Sequence, residues 1–323
     1  MKPLAADLDA LCRRMRGETR VALAVHEKPD ADALGAAAGM LDVFAQLGVD
    51  AGLWVAEGEL LPLGDVLLPA ERVHRGAPPA DAALYALDSG NPDRLALPRW
   101  GDVAVNIDHH HDNPRYGELA FVRGAASSTS ELVCDVARAL GLRPSPQAAA
   151  ALYAGISFDT GHFHHDSTSP DTFRTAAWLV ELGVDVTGLY ALLYESRSEA
   201  SLRVWARAVS GARSVAGGRA LVAAVSLDDL AATGAGPEET EGIVDSLRGV
   251  DGVEVAALVK EQTGGAHTRV SLRSESIDVS AIAALRGGGG HKLASGFSSD
   301  DSPEEVIAWL RSELERRLST ASS

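Results

Sequence analysis

VALAVHEKPDADALGAAAGMLDVFAQLG, residues 21–48, decides the fold of the N-terminal half. Residues 21–25 are apolar and β-prone, and they run straight into a turn holding His26, Asp30 and Asp32. The next stretch reads as a helix over 33–47, with Asp32 as a candidate N-terminal cap and Gly48 as a left-handed stop. Two more strand-like runs end in the same kind of residue. ALYAL (83–87) leads into Asp88, and DVAVNI (102–107) leads into Asp108-His109-His110-His111. Helical stretches intervene at 127–141, from Ser145-Pro146 towards Asp159, and at 172–183. This alternation predicts an α/β fold with a parallel sheet and helices on both faces. The carboxyl ends of neighbouring strands converge there on one sheet edge, so these distant residues would share one crevice.

Taken singly, each segment has a plain structural reading. Asp30 and Asp32 suit cap chemistry, Asp88-Ser-Gly-Asn-Pro is good turn composition, and the histidines could line a solvated loop. Repetition at three strand ends argues against that. Carboxylates and imidazoles so crowded would repel or change protonation unless cations sat between them. The pattern predicts a divalent-metal site, and mixed imidazole and carboxylate donors suit Mn, Zn or Fe better than Ca. Asp159 adds a fourth acidic position, while His162, His164 and His165 read as substrate-side or surface residues.

The texture changes near residue 190. LYALLYESRSEASLRVWARAVSGA reads as a long helical connector, and a second set of strands follows at RALVAAVSL, VEVAALVKE and TRVSLRS. The expected organisation is a domain over 1–190, a helical linker over 191–214 and a smaller α/β domain over 215–323. Gly287–Gly290 before His291 form a backbone able to approach phosphate closely. With Ser271-Leu-Arg273-Ser274 upstream, this reads as a phosphate or nucleotide clamp rather than a flexible loop. Ser302-Pro303-Glu304-Glu305 opens the last helix as a capping box.

Composition bounds the partners. The 323 residues carry 45 acids against 29 bases, a net charge of −16. That disfavours gripping long nucleic acid through many phosphates, but leaves a small phosphorylated ligand open. Two cysteines, Cys12 and Cys134, make no disulfide framework. With no apolar run long enough for a bilayer and no signal-like N-terminus, the expectation is a soluble cytoplasmic protein without membrane contact.

The quoted segments together resemble the DHH/DHHA1 phosphoesterases, named for a triplet matching Asp108-His109-His110. The resemblance extends from about residue 20 to 298, in the family's motif order. It runs through HEKPDADALGA, LDSGNPDR, NIDHHHDNPRYG, ASSTSELV, GISFDTGHF, TEGIVDSLR and SLRSESIDVSAIAALRGGGGHKLASGF. Within the family the chain is most similar to the short NrnA type, the nanoRNA hydrolases. These also act on 3′-phosphoadenosine 5′-phosphate and, in some members, on cyclic di-AMP. The resemblance implies that His26, Asp30 and Asp88 hold one Mn²⁺. A second would be held by Asp32, Asp88, His109 and Asp159, with Asp88 bridging. It further implies that Asp108 orients His109 and that His110 donates to the scissile phosphate. Arg273, Ser274, Gly288, Gly289, Gly290 and His291 would bind the rest of a short RNA or nucleotide, placing the active site in the cleft between domains. A homodimer is implied in the same way. Ala31 stands where the family usually has glycine, His164 where it often has arginine and Arg286 where an aromatic is common; substrate preference is what these would alter. Two other functions compete: a manganese-dependent inorganic pyrophosphatase sharing the first domain, and a nucleotide-binding regulator without turnover.

Overall fold

Six parallel strands build the N-terminal unit. They are β1 (Arg20–Ala24), β2 (Asp50–Val55), β3 (Val73–Arg75), β4 (Ala83–Leu87), β5 (Val103–Asp108) and β6 (Leu119–Val122), in the spatial order β3-β2-β1-β4-β5-β6. The computed structural model describes residues 4–59, 61, 63–97, 102–195, 197–263, 266–290 and 292–320. The chain first winds outward from β1 to β3 and then returns to the other side of β1 to build β4, β5 and β6. The gap between β1 and β4 is therefore the switch point of the sheet, where ligands of open α/β sheets bind beyond the carboxyl ends. Register places those ends together, since Ala24 pairs with Ala86 and Leu87 with Ile107.

The unit's long helices are α1 (Leu4–Arg16), α2 (Ala31–Leu47), α4 (Thr129–Leu140), α5 (Pro146–Asp159), α6 (Pro170–Glu181) and α7 (Val186–Tyr194), with a single turn α3 (Gly64–Leu67). Strand alternation sorts the two faces of the sheet. Val21, Leu23, Tyr85, Leu87, Val105 and Ile107 share one core with side chains of the helices, and Phe44 of α2 meets Tyr85 edge-on at 5.3 Å. Ala22, Ala24, Leu84 and Ala86 face the other way, onto Leu95 and Leu97. Among the described residues the α-helices thus pack on one face, not on both. Small alanine side chains leave a shallow surface that an extended segment covers without a helix.

The chain divides near residue 195 into two compact units. In the second, β7 (Arg213–Val215), β8 (Ala220–Val225), β9 (Val255–Glu261), β10 (Thr268–Ser274), β11 (Gly289–Gly290) and β12 (Ala294–Ser299) form a sheet in the order β11-β12-β10-β9-β8-β7. Only β8 and β9 run parallel in it. Helices α8 (Glu199–Ser210), α9 (Leu227–Thr233) and α10 (Ile243–Arg248) pack with one face, while α11 (Ser280–Ala284) and α12 (Pro303–Thr320) pack with the other. The long connector expected from the sequence is two helices, α7 and α8. Ser198 restarts the chain as the cap of α8, accepting from Ser201 N–H at 2.9 Å. Val204 and Ala208 of α8 are buried with Ala223 and Leu258, so α8 belongs to the second unit's core. Ser302 and Glu305 form the expected reciprocal cap ahead of α12.

Candidate metal centre

Every strand end around the switch point delivers a ligand-type side chain. After β1, His26 directs Nδ1 at the Glu27 carbonyl, 2.8 Å away. Donation there leaves Nε2 facing Asp30 Oδ2 at 3.8 Å and Asp88 Oδ2 at 3.6 Å. Asp30, not Asp32, is the cap of α2: its Oδ1 accepts from the N–H groups of Asp32 and Ala33 at 3.0 and 3.1 Å. One oxygen builds the helix and the other faces the site.

Asp32 is fully buried and performs a different task. Its two oxygens accept from Thr129 N–H at 2.7 Å and Ser130 N–H at 2.9 Å, the first amides of α4. A helix N-terminus is where a buried carboxylate is best tolerated. Gly155 of α5 makes the room, because a Cβ there would stand 2.2 Å from Ser130 Oγ and 2.8 Å from Asp32 Oδ1.

Asp88 joins the two halves of the site. Its backbone is held at φ 52°, a left-handed value uncommon outside glycine and characteristic of strained functional positions. Oδ2 faces His26, whereas Oδ1 lies 3.6 Å from His109 Nε2 and accepts from Thr129 Oγ1 at 2.9 Å. His109 Nε2 also lies 3.0 Å from Oδ2 of Asp159, the last residue of α5. Three overlapping clusters result among the described residues: His26 with Asp30 and Asp88, Asp88 with His109 and His110, and Asp32 with His109 and Asp159. Within each, the ligand atoms lie within 4.8 Å of one another.

Charge tells the same story. Burial alone would lower the His26 and His109 pKa values, yet the surrounding carboxylates outweigh it and raise both to about 10. Burial, with Asp88 and Asp159 alongside, pushes Asp32 well up, and burial raises Asp159 as well. Asp30 moves the other way, because hydrogen bonds from His26 and from backbone amides overcome its burial. This cluster holds its negative charge together by retaining protons. Divalent cations bound by the same atoms would do so instead, and the oxygen and imidazole donor set fits Mn²⁺-class ions.

Asp108 holds a different histidine from the one expected. Its Oδ1 lies 2.7 Å from His110 Nδ1, and its Oδ2 accepts from Asn113 Nδ2 at 2.5 Å. His109 instead turns its Nε2 into the site, so the resemblance-based pairing of Asp108 with His109 gives way to one with His110. Asp108 is nonetheless completely buried at the end of β5, and hydrogen bonds from His110 and Asn113 hold its pKa down against burial. Asn113, Thr129 and Ser130 are site-supporting residues that sequence reading missed. Their only signals were an Asn shortly after the histidines and a Ser/Thr run that looked like ordinary capping.

The second unit's expected clamp is partly accounted for by folding. Ser274 Oγ donates to the Glu254 carbonyl and accepts from the N–H groups of Ser276 and Ile277, which commits it to the turn after β10. Gly288 and Gly290 are required by close packing on β12: a Cβ would lie 2.3 Å from Gly296 O in the first case and 2.7 Å from Ala294 O in the second. Gly289 is open on its Cα side. Arg273 pairs through Nε with Asp245 Oδ1 at 2.9 Å and is half exposed. His291 lies outside the described residues.

Residues 20–156 match the DHH family, N-terminal domain, and residues 217–320 match the DHHA1 domain. The bifunctional oligoribonuclease and PAP phosphatase NrnA of Thermus thermophilus is 33% identical over 312 residues, covering 93% of this chain and 91% of that protein. The cyclic-di-AMP phosphodiesterase GdpP of Geobacillus thermodenitrificans is 30% identical over 91% of this chain, which spans 47% of GdpP. Among solved structures, an exopolyphosphatase-related protein from Bacteroides fragilis superposes with a TM-score of 0.86 at 20% identity, covering 98% of both chains. RecJ in complex with Mn²⁺ from Thermus thermophilus gives a TM-score of 0.55 at 16% identity over 98% of this chain and 55% of RecJ.

Proposed function

The chain belongs to the DHH family, as a phosphoesterase with a C-terminal DHHA1 domain, and from that premise we propose that it hydrolyses short oligoribonucleotides and 3′-phosphoadenosine 5′-phosphate to nucleoside monophosphates. Cyclic di-AMP or its linear product is a further candidate substrate, supported by the likeness to GdpP. The observation that carries the reading is Asp88, which offers one oxygen to each of two ligand clusters.

His26, Asp30 and Asp88 would hold one divalent cation, and Asp32, Asp88, His109 and Asp159 the other, with Mn²⁺ favoured by the Mn²⁺ of RecJ. Two such ions supply water activation near neutral pH and charge neutralisation at the phosphoryl oxygens. The chain's own residues do the rest. Thr129 and Ser130 amides fix Asp32, and the Thr129 hydroxyl fixes Asp88. His110 keeps its Nδ1 proton on Asp108, which raises the imidazole pKa and leaves Nε2 free to donate to a phosphoryl or leaving oxygen. Arg273, Gly289 and His291 would engage the substrate's remaining phosphate or nucleoside. A net charge of −16 supports short substrates over long nucleic acid. Cytoplasmic residence and a homodimer belong to this proposal too, and no single helix among the described residues is long and apolar enough to cross a membrane.

The DHHA1 match favours this reading over an inorganic pyrophosphatase, and the complete ligand set favours an enzyme over a silent regulator. Product release from a dinucleotide RNA, 3′-phosphoadenosine 5′-phosphate, cyclic di-AMP and pyrophosphate, each with Mn²⁺, tests it. Turnover of the nucleotides, lost in His109→Ala, is the expected result. Turnover of pyrophosphate alone would replace the proposal with the pyrophosphatase.

A further inference from the structure

The metal-site end of α5 is followed by a turn that no ligand role explains. Gly161, His162 and Phe163 have φ of 54°, 61° and 65°, and two of these residues carry a Cβ that disfavours such values. Thr160, fully buried, locks the turn: its carbonyl accepts from the N–H groups of His164 and His165, and its hydroxyl from that of Phe163. The left-handed run separates two neighbouring rings. Phe163 packs against the core beside Tyr153 at 5.9 Å and stacks on the exposed Phe173 at 5.4 Å. His162 turns to α7 instead, edge-on to Tyr194 at 3.9 Å and 5.5 Å from Tyr190, with the two tyrosines 5.1 Å apart. Tyr190 is 45% exposed, a large aromatic surface left open against His162, which stands three residues beyond Asp159 in the chain.

Exposed rings on the turn that follows the ligand-type Asp159 offer what a nucleobase binds, because every base has a π-face and stacking needs no particular hydrogen-bond pattern. We propose that His162, Tyr190 and Tyr194 form a stacking platform for the base of the nucleoside attached to the reacting phosphate. The inference rests on the phosphoesterase reading above and adds its source of selectivity for nucleotides. The polar edges of the exposed His162 and Tyr190 suit a partly hydrated base better than a purely apolar partner, with Tyr194 packed beneath them.

The test compares the Mn²⁺-loaded full chain on a dinucleotide RNA and on the same phosphodiester with its bases replaced by hydrogen. In Tyr190→Ala and His162→Ala the dinucleotide KM is expected to rise about tenfold, the scale of one base–aromatic stack. kcat should change little, the preference for the base-bearing substrate should collapse, and Tyr190→Phe should keep it. An unchanged preference, or an equal loss on both substrates, overturns the platform. Equilibrium binding of AMP, weakened by Tyr190→Ala and spared by Tyr190→Phe, reads the platform without turnover; unaltered AMP binding in Tyr190→Ala overturns it as well. The wild-type chain alone reports on the phosphoesterase reading, so failure of that reading is distinguishable from failure of the platform.

Discussion

Asp88 and the groups that hold it lie at the centre of the proposed two-metal site. Thr129→Val removes the hydroxyl bond to Asp88 Oδ1 while keeping the side chain's shape. It should weaken Mn²⁺ affinity about 10- to 100-fold, the usual cost of losing a supporting bond to a metal ligand, measured by calorimetric titration. His110→Ala should leave metal binding intact and lower kcat about 10²- to 10⁴-fold, the range for a lost general acid. A parallel loss of bound metal would instead make His110 a ligand. Protonation supplies a further prediction. His26 and His109, at about 10 when metal-free, and Asp32 and Asp159, also raised, all bind protons more tightly folded than unfolded. The histidine contribution is then fully present below the unfolded value of about 6.5 and is lost as pH rises through about 10. The melting temperature of the metal-free chain should therefore fall between pH 7 and 10, and saturating Mn²⁺ should flatten that slope. A metal-free chain equally stable across that window would contradict the charge balance drawn above. Which acids and histidines gather was legible in the sequence, because each follows an apolar strand. Which histidine Asp108 would hold was not, since it depends on His110 and Asn113 both settling on that carboxylate.

The helices around the site owe their placement to caps and to one glycine. Ser128→Ala removes the bond to Glu131 N–H at the start of α4, the helix whose first amides hold Asp32. A cost of about 1 kcal/mol is expected from denaturant unfolding, with Mn²⁺ affinity reduced alongside. Strands β1, β4 and β5 and helices α2, α4, α5 and α6 could be read directly, as apolar runs and capped amphipathic stretches. Edge strands escaped. β3 is three residues long and β6 four, and the interior strand β12 (Ala294–Ser299) carries Ser and Gly whose strand character comes from pairing with β10 and β11. The connector was misread because the helical pattern on either side of Ser198 is continuous in composition. Only the Ser198 hydroxyl bond to Ser201 reveals the restart. Glycine carried two meanings that spacing does not separate: room for packing at Gly288 and Gly290, and openness at Gly289.

The seven clustered ligand-type residues all lie in the first unit, which has its own cores on both faces of its sheet. A fragment of residues 1–195 should accordingly fold and bind Mn²⁺, while losing most hydrolysis of a dinucleotide. Retention of full activity by the fragment would remove the second unit from substrate binding. The strand order β3-β2-β1-β4-β5-β6 was not readable from the sequence, since it depends on which side of β1 the chain returns to. Yet that order puts the site at the switch point. The central claim, two cations sharing Asp88, is tested most directly by the manganese content of the full chain after equilibrium dialysis, determined by mass spectrometry. The arrangement predicts about two Mn²⁺ per chain. A chain that emerges without bound metal would contradict it.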